Sequence, residues 1–139
     1  MAYKSFEDLD VWQRSCRLAV EVFEEFRASD FINLKNQIER SALSIASNVA
    51  EGAERGGAKE FSQFLKIAKG SCGELRTQLY IAAKLHSIES RKAKSLIAES
   101  NEISAMLEGL RKSISKPQKI TRKSNDQTTA TTSNLILKT

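Results

Sequence analysis

Six basic side chains recur along the third predicted helix and its start, spaced so that they fall on one side. At about 100° per residue they occupy an arc of roughly 100°, away from the phenylalanine and leucine face. They are Arg55, Lys59, Lys66, Lys69, Arg76 and Lys84. A row of cations about 40 Å long could follow a phosphate backbone. The spacing therefore predicts a nucleic-acid-binding stripe.

A second interpretation of this stripe stays open. Solvated helix faces are commonly charged, and their lysines often pair with acidic neighbours. Gly70 and Gly73 lie on the same side. They would let a phosphate approach closely, or they would permit tight packing against another helix.

No other set of residues has the spacing that catalysis, metal binding or cofactor binding requires. Cys16 and Cys72 are far apart and form no C-x-x-C pair, so we expect two small core residues and no metal site. His86 is the single histidine, and we interpret it as a favourable group near a helix C-terminus. Without a nucleophile–base pair, a Glu-x-x-His motif or a phosphate-cradling glycine loop, the sequence predicts no enzyme activity and no cofactor.

Composition favours one helical domain. The 139 residues include one proline and are 40% hydrophobic. No apolar run reaches the about 18 residues of a membrane span, and the first residues are unlike a signal peptide, so we expect a cytoplasmic protein. The net charge is +5. Residues 1–112 carry 17 Lys and Arg against 16 Asp and Glu, so the excess lies mainly near the C-terminus.

Hydrophobic periodicity predicts four helices, over about 6–28, 33–53, 58–86 and 91–114. Short connections between long helices favour an antiparallel up-down-up-down four-helix bundle, so the fold class is all-α. The bundle occupies residues 1–114. Residues 115–139, rich in Thr, Ser and Lys, are predicted to be a flexible, disordered basic tail. Docking of its apolar patch at 135–137 on the bundle or on a neighbour is the alternative.

The first helix has more apolar surface than one core normally requires. Its predicted core stripe consists of Leu9, Trp12, Cys16, Ala19, Val20, Phe23 and Phe26. Val11, Leu18 and Val22 form a second row about 120° away. Either the helix is deeply buried, or this second row is an interface with another subunit. We favour the interface.

Three segments resemble a known bacterial family, and their order and spacing match as well. They are FEDLDVWQ at 6–13, SIASNVAEG at 44–52 followed by Arg55, and EFSQFLKIAKGS at 60–71 followed by Glu74, Leu75, Gln78 and Leu79. Together they resemble the four-helix-bundle proteins encoded in intervening sequences of 23S ribosomal RNA genes. Ala46 departs from the pattern, because the family often has proline there. The resemblance covers roughly residues 5–112.

The resemblance implies a homopentameric ring of four-helix bundles. It also implies kinship with the accessory variability protein of diversity-generating retroelements, a basic pentameric barrel that binds nucleic acid and a reverse transcriptase. The leading hypothesis is thus a non-enzymatic, oligomeric accessory protein that binds RNA or DNA through the stripe without reading sequence. The alternative is a scaffold that presents helix faces to a protein such as a polymerase or reverse transcriptase. In the family motif, we interpret Asn48 and Glu51 as structural residues that cap or cross-link helix ends.

Overall fold

A computed structural model describes residues 5–115 of the chain. These residues form a short 3-10 helix and four α-helices, and no strand occurs among them. The bounds are Phe6–Asp8 for the 3-10 helix, Asp10–Glu25 for α1, Ile32–Glu54 for α2, Ala58–Lys84 for α3 and Ser90–Ser115 for α4. The all-α fold is confirmed. Apart from Ser115, which ends α4, the predicted tail lies outside the described residues.

The first predicted helix is divided in two near its start. Leu9 has an extended backbone (φ −79°, ψ 126°) and separates the 3-10 helix from α1. Ser5 caps the 3-10 helix, since its Oγ accepts a hydrogen bond from the Glu7 N–H at 3.2 Å. The Phe6 ring packs edge-on against Trp12, with 5.2 Å between ring centroids. This turn is therefore fastened to α1 although the helix is not continuous through it.

Within each pair of neighbouring helices, contacts at higher residue numbers in one helix are made with lower residue numbers in the other, which is the pattern of antiparallel helices. For α2 and α3, Gly52 lies against Phe64, and Ser44 meets Ser71 with 2.9 Å between hydroxyl oxygens. The corresponding pairs are Ser62–Ser115 and Lys69–Glu108 for α3 and α4, and Arg14–Glu99 and Glu21–Lys92 for α1 and α4. These pairings are consistent with the predicted up-down-up-down order.

One apolar core runs the length of the bundle and draws on all four helices. Its largest fully buried side chains include Leu18, Ile45, Leu65, Leu75, Ile103, Leu107 and Leu110. Burial of each such side chain contributes about 1.5–3 kcal/mol. The core faces predicted for helices two, three and four are confirmed, except that Ala53, Phe64 and Ala83 are only half-buried.

The prediction that Val11, Leu18 and Val22 face a second subunit is wrong. All three are at most 1% exposed and belong to the core of their own bundle. By contrast Val20 and Phe23, placed in the core by the sequence, are 57% and 39% exposed. Both rows lie within the continuous helix α1, and both are apolar, so helical spacing alone does not tell which row the other helices cover.

The two cysteines are free thiols with different environments. Cys72 is buried, as predicted, and burial raises its pKa to about 11. Cys16 is half-buried on α1, so the prediction of a core position is only partly right. Within residues 5–115, no group of three or more His, Cys, Asp or Glu side chains could hold a metal ion. Nor is any helix in this part of the chain long and apolar enough to cross a membrane.

Gly52 lies within the last turn of α2 and faces α3. An added Cβ would stand 2.6 Å from Phe64 Cβ and 3.0 Å from Phe61 Cδ1. Glycine therefore lets α2 and α3 approach closely. The helix ends at Glu54, and Gly56, two residues later, has a φ of 85°, the left-handed conformation common just beyond helix ends.

Candidate nucleic-acid interface

Cationic side chains collect where α3 and α4 run side by side. We define the α3–α4 face by the charged residues that line the grooves of this seam, together with Arg76, which bridges the two helices. They are Lys59, Lys66, Lys69, Arg76 and Lys84 from α3, and Lys94, Glu108 and Arg111 from α4. Seven of these eight side chains are basic and one is acidic. The face therefore has a marked excess of positive charge.

Three shallow grooves follow one another along this seam. Lys59 and Lys66 line the first, of about 410 Å³, and Lys66 also borders the second, of about 460 Å³, beside Lys69. Lys84 lines the third, also about 460 Å³, together with Lys94. Four of the six predicted side chains thus border these grooves, of which the first two adjoin at Lys66.

Arg55 does not lie with the other predicted cations. Its guanidinium is 5.1 Å from the centroid of the Phe64 ring, on the side of α3 that meets α2. It also pairs with Glu51 at 2.7 Å and with Glu60 at 3.9 Å. The sequence projected Arg55 onto the third helix, but the turn at Gly56 lies between them and breaks the helical phase.

Arg76 lies at the seam but is half-buried. Its Nη1 is 3.5 Å from Ser100 Oγ, and that hydroxyl donates a hydrogen bond to the Cys72 carbonyl at 3.3 Å. The side chain therefore links α3 to α4. It presents less of its charge to solvent than the lysines on either side.

Glu108 is the acidic member of the face and is shared by two cations. Arg111 donates to it twice, at 3.0 Å from Nε and 2.6 Å from Nη2, and Lys69 Nζ lies 3.2 Å away. Hydrogen bonds from Arg111 and then Lys69 lower the pKa of Glu108 from 4.5 to about 2. The cluster retains one net positive charge, because one carboxylate serves two cations.

The remaining lysines of the face keep their charge unpaired. Lys59, Lys66, Lys84 and Lys94 make no ion pair with any carboxylate in residues 5–115.

Arg111 and Lys94 were missed by the sequence reasoning, which projected one helix alone. Finding them requires the antiparallel register that sets residue 69 opposite residue 108.

The groove beside α1 and α4 has a different charge balance. Its volume is about 730 Å³, and Arg14, Arg17, Glu21 and Glu99 line it, so two cations meet two carboxylates. Arg14 and Glu99 form a two-point pair, with N–O distances of 2.9 and 2.7 Å. The cation excess is thus a property of the α3–α4 face and not of every groove.

Stability should depend on Glu108 as pH falls from about 4.5 to about 2. The folded-state pKa is depressed, so the carboxylate's contribution is complete above 4.5 and disappears as pH falls through about 2. We expect Glu108→Gln to lower the urea midpoint near neutral pH, and this deficit to shrink on acidification. Glu24→Gln, at an exposed site on α1, is the control. A deficit that stays constant with pH would contradict this assignment.

The residues of the 44–52 segment contact one another and α3. Asn48 Nδ2 donates to the Ser44 carbonyl at 2.8 Å and to its hydroxyl at 2.9 Å, and Ser44 meets Ser71 of α3. Glu51 pairs with Arg55, one turn later. Glu51 thus braces the end of α2, in line with the structural role predicted for it, whereas Asn48 bonds within α2 and is linked to α3 only through Ser44.

These observations define an all-helical protein of four long helices with one cationic face. A family model described as 23S rRNA-intervening sequence protein matches residues 7–109. The chain belongs to this family. Among curated proteins, none matches the chain.

One similar solved structure is a protein of unknown function from the S23 ribosomal protein family of Bacteroides thetaiotaomicron VPI-5482, determined at 1.70 Å resolution. It is 24% identical, with a TM-score of 0.70. The match covers 76% of this chain and 97% of that one. At this identity the likeness shows the fold alone.

Proposed function

We propose that this chain is a non-enzymatic, oligomeric accessory protein that binds RNA or DNA through the α3–α4 face without reading sequence. The observation that carries the proposal is the set of four unpaired lysines along one seam, Lys59, Lys66, Lys84 and Lys94. Flexible point charges along a groove suit phosphates, which carry no base identity.

Binding should weaken steeply with salt, because each neutralised phosphate releases a counterion. For a single strand, four contacts give a slope of log K against log salt of about −3. We expect this slope by fluorescence anisotropy, and affinities within a few-fold for two oligonucleotides of scrambled sequence. No binding at low salt, or binding that salt does not change, would remove the proposal.

Self-association is part of the proposal. With the predicted interface row inside the core, the exposed apolar side chains that α1 offers to a second copy are Val20 and Phe23. We expect light scattering to report a pentamer, at five times the 15.5 kDa of the chain. Phe23→Glu should lower that mass. A wild-type mass of one chain would contradict this part.

A second candidate is a scaffold for a protein partner such as a polymerase or reverse transcriptase. Ile67 and Ile81 favour it, because both are about half exposed on the edge of α3 away from α4. Reversal of charge at Lys66 and Lys69 distinguishes the scaffold from the nucleic-acid-binding protein when binding of the protein partner and binding of nucleic acid are both measured. Loss of a protein partner with nucleic-acid binding intact would favour the scaffold.

A further inference from the structure

The third groove of the α3–α4 face differs from the other two in its floor and rim. It lies between the end of α3 and the start of α4, and its volume of about 460 Å³ is within the range of small-ligand sites. Ala93 and Ile97 form a buried apolar floor. Tyr80, Lys84 and Lys94 stand at its rim. The groove thus combines an apolar floor, an aromatic ring and two cations.

The charge of this groove is entirely positive. No Asp or Glu lines it, and neither Lys84 nor Lys94 forms an ion pair within residues 5–115. In the neighbouring groove, by comparison, Lys69 shares Glu108 with Arg111. An anionic group would therefore meet uncompensated cations at this end of the seam.

Tyr80 is placed for stacking. Its side chain is 61% exposed, the most exposed large hydrophobic residue in the described part of the chain. It precedes Lys84 by one helical turn, so both residues project from the same side of α3. A base stacked on the ring would have its phosphate near the lysines, the arrangement that single-stranded nucleic-acid sites use.

The turn that closes the groove is held by backbone hydrogen bonds. Past the end of α3, His86 adopts a left-handed conformation, with φ of 58°. The His86 N–H donates to the Ala83 carbonyl at 3.1 Å, and the Ser87 N–H donates to the Ala82 carbonyl at 2.9 Å. These two bonds form a Schellman motif. They fix how α3 meets α4 and so set the two sides of the groove before any ligand binds.

We propose that this groove holds one unstacked nucleotide, with its base on Tyr80 and its phosphate between Lys84 and Lys94, so that the protein prefers single strands to duplexes. This inference rests on the proposed function and names its ligand class. A duplex keeps its bases stacked and paired and presents only phosphates to the face. A single strand can turn one base into the groove.

The test compares a single-stranded oligonucleotide with its own duplex by fluorescence anisotropy at one salt concentration. Wild type should bind the single strand more tightly. Tyr80→Ala should weaken single-strand binding about 5- to 150-fold, the range for loss of one base–aromatic stack, and leave duplex binding unchanged. Tyr80→Phe, which keeps the ring, should stay close to wild type. Ile81→Ala, at the next exposed position, is the matched control.

A second readout reports stacking itself. An oligonucleotide that carries one 2-aminopurine base should lose fluorescence when it binds wild type and should keep it when it binds Tyr80→Ala. If the protein binds both forms equally and Tyr80→Ala changes neither, the pocket proposal is overturned while the proposed function stands. If the protein binds neither form, both proposals fail.

Discussion

Leu18→Ala should lower the free energy of unfolding by about 2–5 kcal/mol, as truncation of buried leucines generally does. Leu18 is 1% exposed and lies in the core that all four helices share. The substitution removes apolar contacts and leaves a cavity, because the surrounding helices relax only partly. Urea unfolding followed by circular dichroism, at two protein concentrations, measures the change and separates subunit stability from association.

Leu43→Ala provides the matched control, since it deletes the same atoms from an exposed position on α2. We expect its effect to stay within about 0.5 kcal/mol. Equal effects of the two substitutions would contradict the burial of Leu18. If Leu18→Ala changed the oligomer mass without changing subunit stability, the original interface assignment would be restored.

Gly52→Ala should destabilise the protein by about 1–3 kcal/mol, the usual cost of forcing atoms into a packed interface. The added methyl would meet Phe64 Cβ at 2.6 Å. That atom is bonded to the backbone, so a rotamer change cannot move it away. The α2–α3 pair must separate locally, and the stacking of Arg55 on Phe64 will be disturbed with it.

Gly109→Ala tests the same chemical change where there is room. Nothing lies within 4 Å of an added Cβ at this exposed position in α4. Alanine should stabilise the helix there by about 0.4–1 kcal/mol, because glycine costs more entropy on folding. The two substitutions are thus expected to have opposite signs. A stabilising effect at Gly52 would show that α2 and α3 are not in tight contact.

Much of the fold follows from the sequence because helical periodicity survives in long amphipathic segments. The faces of α2, α3 and α4 are predicted within a few residues, and Ile45, Leu75 and Leu107 are buried as expected. The exception is α1. Apolar side chains lie on two sides of this helix, with Val20 and Phe23 exposed, so periodicity alone does not identify the side that is buried.

The candidate site was predicted only in part, for a related reason. A helical projection finds cations that share a helix, and it correctly groups Lys59, Lys66 and Lys84. It also includes Arg55, which precedes a turn, and it omits Lys94, which lies on another helix. Which helices adjoin, and in what register, depends on packing across the whole bundle, so spacing within one helix cannot supply it.

The charge of the α3–α4 face is tested most directly by a pair of triple variants. One replaces Lys59, Lys66 and Lys84 with glutamine, and the other replaces Arg17, Arg27 and Arg40, which are exposed away from this face. Both variants lose three positive charges, so a general effect of net charge would appear equally in each. Only the lysine variant removes contacts that the α3–α4 face would make.

The measurement is the salt dependence of single-strand affinity for wild type and both variants. We predict that the lysine variant binds more weakly and that its slope of log K against log salt is shallower by about 2, since each lost phosphate contact removes about 0.7. The arginine variant should keep the wild-type slope. Equal slopes for the two variants would contradict the claim that nucleic acid lies along α3 and α4.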